Sequence, residues 1–371
     1  MLTILIRLIL SKTVQLPSFQ RLPLLRHRPF QQPLSLYLSL QRVSTVKGSP
    51  TLRSVKICFL LVVSYNQPKL DPLATWSGNG QIFAGSSIIG GYPYGLFVNV
   101  NNTIYVADRY NNEIKIWEEN STSLSPNISG NLSNPHSLFV TVDGDIYVDN
   151  GYQTGGVDKF PFNETTSTQV MNVSQQCYSV FVDITNILYC SLMDLHQVVS
   201  TSLNNASQMS TIVAGTGCPG NTTYMLYYPR GIFVDDVNNF DLYVADCYNN
   251  RIQRFPIGQL NGQTVSNLGS FTLNCPTGVV LDARNYLFIV DSGHHRILGS
   301  GPYGFRCLVG CSSLPLSGSS NLYYPQTMAF DSYGNFFVTD MHNHRVQKFI
   351  LLNNSLGKSQ KSVFSNLARY R

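Results

Sequence analysis

Residues 324–349 read YPQTMAFDSYGNFFVTDMHNHRVQKF, and residues 228–255 repeat the pattern as YPRGIFVDDVNNFDLYVADCYNNRIQRF. Each copy contains three short runs of β-branched, aromatic and other apolar residues, separated by turns rich in Asp, Asn and Gly. A Pro precedes the first run, an Asp ends the second, and an Arg follows Asn or His at the start of the third. The pattern predicts a repeated unit of antiparallel β-strands.

The repeat occurs six times and has a regular spacing. The six equivalent positions, 42, 42, 52, 47 and 49 residues apart, are Pro93, Pro135, Cys177, Pro229, Pro276 and Pro325. A fourth apolar run follows the third, as in residues 211–215. Four strands in about 40–50 residues is the size of a propeller blade. A sheet this small cannot bury both faces alone, so the blades are expected to pack around an axis.

The last copy lacks its fourth run, whereas an unassigned run, GQIFAG at residues 80–85, precedes the first copy. We therefore predict an all-β fold: a six-bladed β-propeller of four-stranded antiparallel blades, closed by an N-terminal strand near residues 80–85. The expected organisation is a leader at residues 1–75, the propeller at 76–352 and a C-terminal tail at 353–371.

The copies resemble the NHL repeat, in which a strand ending in Asp is followed by Asn-His-Arg, an apolar residue and Gln. Residues 340–347 match this pattern well, copy one has Glu113 in place of the Arg, and copy three has Leu192 in place of the Asp. The resemblance covers about residues 78–351 and implies a six-bladed propeller, but much less about function. Similar propellers include an amidating lyase and lactonases that depend on channel metals. Other NHL propellers serve RING-type ubiquitin ligases or bind RNA.

The composition indicates a core built of strands, and the charged residues are unevenly distributed along the chain. Of the 371 residues, 43% are hydrophobic and only 12% are charged, which excludes a charge-rich disordered chain and a coiled coil. Residues 1–75 contain ten Lys and Arg and one acid, a net charge of +9, whereas residues 76–371 carry a net charge of −4. Nucleic-acid binding is not expected, because the propeller itself is acidic.

The leader has several interpretations. Residues 1–54 lack acids and are rich in Ser and Arg, as in an organelle transit peptide, or they are wrongly joined sequence at the front of a gene model. Residues 55–64 place an apolar run between Lys56 and Ser64, like the core of a secretory signal peptide. The run is too short to span a bilayer. Its alternative interpretation is a buried strand.

Sequons and cysteines favour a secreted, extracellular protein, with an intracellular one as the alternative. Asn-x-Ser/Thr glycosylation signals occur at Asn101, Asn120, Asn127, Asn131, Asn163, Asn172, Asn205, Asn221 and Asn353. Apart from Cys58 in the leader, the disulfide candidates are Cys177, Cys190, Cys218, Cys247, Cys275, Cys307 and Cys311. An odd number leaves one cysteine unpaired or paired between chains. Only Cys307 and Cys311 suggest a pair from their spacing, as the ends of a short loop.

The repeated acids are expected to be structural, because they recur in nearly every blade. Those that end the second strand are Asp108, Asp149, Asp246, Asp291 and Asp340. We expect them to accept backbone N–H groups and to pair with the following Arg. Those that end the first strand are Asp183, Asp235, Asp282 and Asp331, and these are expected to stabilise hairpin turns.

The candidate ligand-binding site is the ring of residues at the start of the innermost strands, where side chains line the channel mouth. Its members are Tyr94, His136, Tyr178, Arg230, Thr277 and Gln326. With one His and no carboxylate, the ring predicts no metal site, cofactor or catalytic residue. The predicted function is monomeric, non-enzymatic binding of a protein, peptide or glycan. The alternatives are a metal-dependent lyase or lactonase, and an intracellular scaffold in ubiquitin ligation or RNA binding.

Overall fold

The computed structural model describes residues 63–354 except 122, 131, 152–154, 174, 206–208, 267 and 313–316, together with the backbone of Tyr37–Leu38 (β1) and Phe59–Leu60 (β2). Strands β1 and β2 pair antiparallel with each other. Cys58, the sequon at Asn131 and residues 355–371 of the expected tail lie outside the described residues.

The described strands form six blades. The elements that precede them are β3 (Thr75–Trp76), β4 (Gln81–Ala84) and the one-turn helix α1 (Ser86–Ile89). Blade one contains β5 (Leu96–Val98), β6 (Ile104–Asp108) and β7 (Glu113–Trp117). Blade two contains β8 (Leu138–Val140), β9 (Ile146–Asp149), β10 (Val157–Phe160) and β11 (Thr168–Met171). Blade three contains β12 (Ser179–Val182), β13 (Ile187–Leu192), β14 (Gln197–Ser202) and β15 (Thr211–Gly215).

The last three blades follow the same order. Blade four contains β16 (Pro229–Val234), β17 (Leu242–Asp246), β18 (Arg251–Phe255) and β19 (Gln263–Thr264). Blade five contains β20 (Pro276–Leu281), β21 (Leu287–Asp291), β22 (Arg296–Gly301) and β23 (Gly304–Val309). Blade six contains β24 (Pro325–Phe330), β25 (Phe336–Asp340) and β26 (Arg345–Phe349), followed by β27 (Leu351–Asn353). Short 3₁₀ turns at Cys247–Asn249, Ser292–His294 and Met341–Asn343 follow the second strands of these blades.

The blades form a closed ring, as predicted. Each first strand contacts the first strand of the next blade, and β24 of blade six contacts β5 of blade one. Strand β4 supplies the fourth strand of blade six, with Val346 opposite Ala84 and Gln347 opposite Ile82. The pairing of β27 with β3 adds a second junction between the two ends of the propeller. The predicted N-terminal closing strand is therefore confirmed.

Blade one is the least complete sheet. Its three strands are followed by a segment that bonds to β7 without forming a strand: Ile114 and Ile128 exchange two backbone hydrogen bonds, and Ser125 N donates to Ile116 O at 2.9 Å. In place of a fourth strand, Asn127 donates a hydrogen bond from Nδ2 to Glu113 Oε2 at 3.0 Å. Glu113 is the residue that replaces the repeat's Arg, so this departure in sequence coincides with a local departure in structure.

Burial explains the near-continuous apolar runs in the sequence. All residues of β6 and β9 are buried, because each blade packs a neighbouring blade on either side. Outer strands differ: Thr168 and Gln169 of β11 are exposed, whereas Met171 at its end is 2% exposed. The innermost strands approach so closely that a Cβ on Gly231 would lie 2.4 Å from the carbonyl oxygen of Thr277.

The segment before the first blade is part of the propeller core. Tyr65, Leu70 and Ala74 are 8%, 1% and 1% exposed. Tyr65 packs edge-on among Phe139, Phe181 and Phe233, with ring centroids 6.4, 5.6 and 5.2 Å away. These three residues lie within the expected leader, residues 1–75, and pack into the folded unit.

Candidate functional site

The ring residues are positioned by a repeated contact between blades. The residue before each blade's leading Pro has a left-handed backbone, with φ of 57° at Tyr92 and 53° at Tyr228. Its N–H donates to the side chain of the left-handed Asn or His in the preceding blade. These bonds are Tyr92 to His344 Nδ1 at 3.1 Å, Asn134 to Asn112 Oδ1 at 2.7 Å, Tyr228 to His196 Nδ1 at 3.2 Å, Cys275 to Asn250 Oδ1 at 2.8 Å and Tyr324 to His295 Nδ1 at 3.2 Å.

Blade three uses a different support where its repeat is degraded. Cys177 stands at the Pro position and forms a disulfide with Cys190 of the neighbouring strand. The Cys177 N–H also donates to Asp149 Oδ1 at 2.7 Å. A covalent bond and a carboxylate contact thus fix the residue that precedes Tyr178.

The repeated acids are structural, as predicted. In blade six, the Asp340 carboxylate accepts hydrogen bonds from Tyr323 N at 2.6 Å and Arg345 Nε at 2.7 Å. Asp246 and Asp291 pair in the same way with the following Arg. The acids that end the first strand accept backbone N–H groups of the next hairpin, as Asp282 does from Arg284 and Tyr286.

The structure gathers the predicted ring around a cavity of about 100 Å³ that is lined by the innermost strands. Ring members that line the cavity are Tyr94, His136, Tyr178, Thr277 and Gln326. Tyr178 donates a hydrogen bond from Oη to Gln326 Oε1, and Thr277 donates to the Pro325 carbonyl at 3.1 Å. The predicted residues are therefore neighbours in space, although they come from different blades.

Arg230 does not line the cavity itself, but it stacks on the ring of Tyr178, which does. Its Cζ is 5.1 Å from the centroid of the Tyr178 ring, and its Nη1 is 3.5 Å from Tyr178 Oη. The Nε atom is buried without a hydrogen-bond partner among the described residues. Burial raises the pKa of Tyr178 to about 12, and the charges of Arg230 and Arg109 oppose that rise.

Arg109 belongs to the site, although the sequence analysis did not include it. It follows the Asp that ends β6, and its Cζ lies 5.2 Å from the Tyr94 ring centroid. The equivalent residues in the other blades are uncharged: Asn150, Met193, Cys247, Ser292 and Met341. Comparing this position across the copies would have singled out Arg109 as the exceptional charge.

His136 is held as a neutral imidazole. It is 4% exposed, its ring centroid lies 4.6 Å from that of Tyr94, and its Nδ1 is 3.9 Å from Asp149 Oδ2. Burial, aided by the charges of Arg109 and Arg230, lowers the pKa of His136 to about 3. Burial raises the pKa of Asp149 to about 7, against the hydrogen bonds that its carboxylate accepts. At that distance Nδ1 makes no hydrogen bond with Asp149, and it has no other hydrogen-bond partner among the described residues.

An apolar zone lies next to the polar ring in the same cavity. It includes Phe97, Phe139, Phe181 and Phe233, and Tyr65 packs among three of these rings. The cavity therefore combines a polar mouth with an aromatic interior that the N-terminal segment helps to fill.

The family comparison agrees with this geometry. The sequence profile of the NHL repeat matches residues 322–349, which contain the copy in blade six. The chain carries an NHL repeat on a six-bladed β-propeller. Comparison with curated protein sequences finds no match.

Solved propellers similar to this NHL-repeat chain include both binding proteins and enzymes. An auxiliary nutrient-binding protein from Bacteroides thetaiotaomicron has 14% identity and a TM-score of 0.55, over 78% of this chain and 76% of that chain. A streptogramin B lyase has 12% identity and a TM-score of 0.51, over 74% and 97%. A protein assigned as a gluconolactonase has 12% identity and a TM-score of 0.52, over 78% and 98%. Identities this low establish the shared fold alone.

The described residues contain no group of three His, Cys, Asp or Glu side chains arranged to hold a metal ion. Nor does any helix in the described part of the NHL-repeat chain have the length and apolarity of a membrane span.

The described cysteines form three disulfides, Cys177–Cys190, Cys247–Cys275 and Cys307–Cys311. The pair expected from its spacing, Cys307–Cys311, is therefore confirmed. Cys218 is exposed and forms no disulfide within the described residues. It is the odd cysteine that the sequence count anticipated.

Proposed function

We propose that this chain is an extracellular binding propeller that recognises a protein, peptide or glycan through its channel mouth and the adjoining loops. The observation that carries the proposal is the cavity of about 100 Å³, with Tyr94, His136, Tyr178 and Gln326 in its wall. Ligand sites are concave, mainly apolar and equipped with a few convergent polar groups. Aromatic rings, an imidazole and an amide converge here on rigid strands.

Disulfides and exposed sequons support the extracellular part of the proposal. Disulfide bonds persist in oxidising compartments, and this chain has three. Among the described sequons, all but the half-buried Asn127 are exposed: Asn101, Asn120, Asn163, Asn172, Asn205, Asn221 and Asn353. Exposed side chains leave room for an attached glycan.

The compartment is tested by expressing the full chain in cultured animal cells. Export to the medium and a higher gel mobility after endoglycosidase treatment are expected. A protein that stays in the cytosol, with mobility unchanged by the enzyme, would contradict the extracellular proposal.

The binding role is tested with panels of immobilised peptides, extracellular proteins and glycans. Ligands retained by the natural protein should be lost with Arg230→Gln. They should be kept with Arg254→Gln, a control on the same blade whose arginine pairs with Asp241 at the outer part of the sheet. If no retained ligand distinguishes these two variants, the channel mouth is not the binding site.

An enzyme is the second candidate, favoured by one observation: His136 in the wall of the cavity has the buried carboxylate of Asp149 behind it, with Nδ1 and Oδ2 3.9 Å apart. A pKa near 3 makes His136 a weak base, since general bases work best with a pKa near the working pH. Stoichiometric zinc or calcium in the purified protein, found by elemental analysis, would favour a metal-dependent lyase or lactonase. Salt-sensitive retention on RNA would instead favour the intracellular scaffold.

A further inference from the structure

The guanidinium group of the half-buried Arg230 has fewer partners than that of the buried Arg345. It has one long contact, to Tyr178 Oη, and a buried Nε without a partner. By contrast, Arg345 bonds the Asp340 carboxylate at 2.7 Å and carbonyl oxygens of Ser317 and Gly318 at 2.9 Å. A guanidinium has five N–H donors, and buried donors are normally satisfied. The unused donors of Arg230 therefore indicate an acceptor supplied from outside the chain.

Arg109 is a second unpaired cation beside the same ring of residues. The guanidinium of Arg109 makes no ion pair or hydrogen bond with any described residue and stacks on Tyr94. Both Arg109 and Arg230 lower the pKa of His136, which indicates that their fields meet at the imidazole. The carboxylate nearest to His136, Asp149, is fully buried behind it, and burial raises the pKa of Asp149 to about 7. Positive charge at the mouth is thus incompletely neutralised.

The size and lining of the cavity limit what can enter. Its volume of about 100 Å³ is well below the roughly 300–1,000 Å³ of pockets that enclose whole drug-sized ligands, so it suits one small group and not a whole oligomer. Phe139 and Phe181 provide an apolar interior. One face of each mouth tyrosine, Tyr94 and Tyr178, is already covered by a guanidinium, which leaves less aromatic surface for stacking against a sugar ring.

We propose that the channel mouth binds the C-terminal carboxylate of a peptide, with Arg230 and Arg109 pairing the carboxylate and the aromatic interior receiving a small apolar terminal side chain. The inference rests on the proposed binding function and specifies its ligand. Arginine donors match carboxylates in geometry and charge, and fixed N–H donors are a common means of capturing a chain terminus. The neutral His136 imidazole lines the same cavity and adds a polar group without adding charge.

The test compares N-acetyl-Ala-Ala with its C-terminal amide by isothermal titration calorimetry on the full secreted protein. The free acid should bind at least about tenfold more tightly than the amide, because charge-assisted hydrogen bonds discriminate by that factor or more. Arg230→Gln and Arg109→Gln should each weaken binding of the acid about tenfold and leave the amide unchanged. The control Arg254→Gln should leave both unchanged.

Several outcomes would overturn the inference. Equal affinity for the acid and the amide, or no binding of either, would show that the protein does not recognise the C-terminal carboxylate. If glucuronate binds as tightly as the peptide acid while glucose does not, the ligand is an acidic glycan and not a peptide. If the panels yield a mouth-dependent ligand without a carboxylate, this inference fails although the proposed binding function stands. If no ligand depends on the mouth, both fail.

Discussion

Two equivalent aspartates of the repeat should respond very differently to the same substitution. Asp340 in blade six and Asp149 in blade two are both 0% exposed. The Asp340 carboxylate accepts hydrogen bonds from Tyr323 N, Asn343 Nδ2, Arg345 Nε and Gln347 Nε2, at 2.6, 2.9, 2.7 and 3.0 Å. Asp149 accepts backbone N–H bonds and forms no ion pair with an arginine within the described residues.

Asp340→Asn should lower the free energy of unfolding by about 3–5 kcal/mol. The substitution leaves the Arg345 guanidinium, only 7% exposed, without its carboxylate, and breaking a buried ion pair costs about that much. The side-chain amide of the new asparagine also places an N–H donor among groups that are themselves donors, such as Tyr323 N and Arg345 Nε. Asp149→Asn loses one backbone hydrogen bond but also removes a buried charge, so a cost of about 1 kcal/mol or less is expected.

Urea unfolding at pH 8, followed by tryptophan fluorescence, measures both effects. The two tryptophans, Trp76 and Trp117, are buried. The expected difference between Asp340→Asn and Asp149→Asn is at least about 2 kcal/mol. Equal costs for the two substitutions would refute the view that the repeated acid stabilises each blade mainly by pairing with its arginine.

The pH dependence gives an independent check on Asp149. Burial raises its pKa in the folded protein to about 7, above the unfolded value, so its proton stabilises the fold. That stabilisation is complete below the unfolded pKa and is lost as pH rises through 7. The loss has a slope of up to about 1.4 kcal/mol per pH unit. Asp149→Asn should abolish this part of the pH dependence, and an unchanged slope between pH 5 and 7 would contradict the assignment.

Three further predictions concern the blade junctions, the N-terminal segment and the free cysteine. Burial lowers the pKa of His196 and His295 in the folded state, and their imidazoles accept backbone N–H bonds only when neutral. Stability should therefore fall as pH drops below about 6.5, and the double variant His196→Asn/His295→Asn should show less of this loss in urea titrations at pH 7.5 and 5. Tyr65→Ala should lower the free energy of unfolding by about 3–5 kcal/mol in the same assay, and Tyr65→Phe by about 1 kcal/mol or less. Edman sequencing of the protein purified from animal cells should find its first residue at Tyr65 or earlier, and a later start would contradict the packing. Cys218→Ser should remove the free thiol detected by Ellman's reagent and leave the urea midpoint unchanged; a lower midpoint would show that this cysteine contributes to the fold.

The fold was largely predictable because each blade is defined by local patterns. Strand runs, turn residues and the spacing of the copies gave the number of blades, and the missing fourth run of blade six identified Gln81–Ala84 as its closing strand. The positions of the ring residues followed from their place beside the leading Pro. Burial of the segment around Tyr65 was not predictable, because nothing in its short sequence records the aromatic channel that receives it.

Other features of the site were only partly accessible from the sequence. Arg109 carries a signal, as the one charged residue at its repeat position, but its stacking on Tyr94 required the structure. The disulfide between Cys307 and Cys311 followed from their spacing. The pair Cys247–Cys275, 28 residues apart, did not, since many pairings of seven cysteines were compatible with the count.

Strands, turns, blade count and ring closure follow from the order of residues, because hydrogen-bonding periodicity and turn preferences act over a few positions. The chemistry of the channel mouth depends on contacts between distant positions, such as the hydrogen bond between Tyr178 and Gln326, 148 residues apart. Whether Arg230 is paired or free, and whether His136 is charged or neutral, depends on which groups surround each side chain. Those surroundings exist only once six blades have closed around one axis.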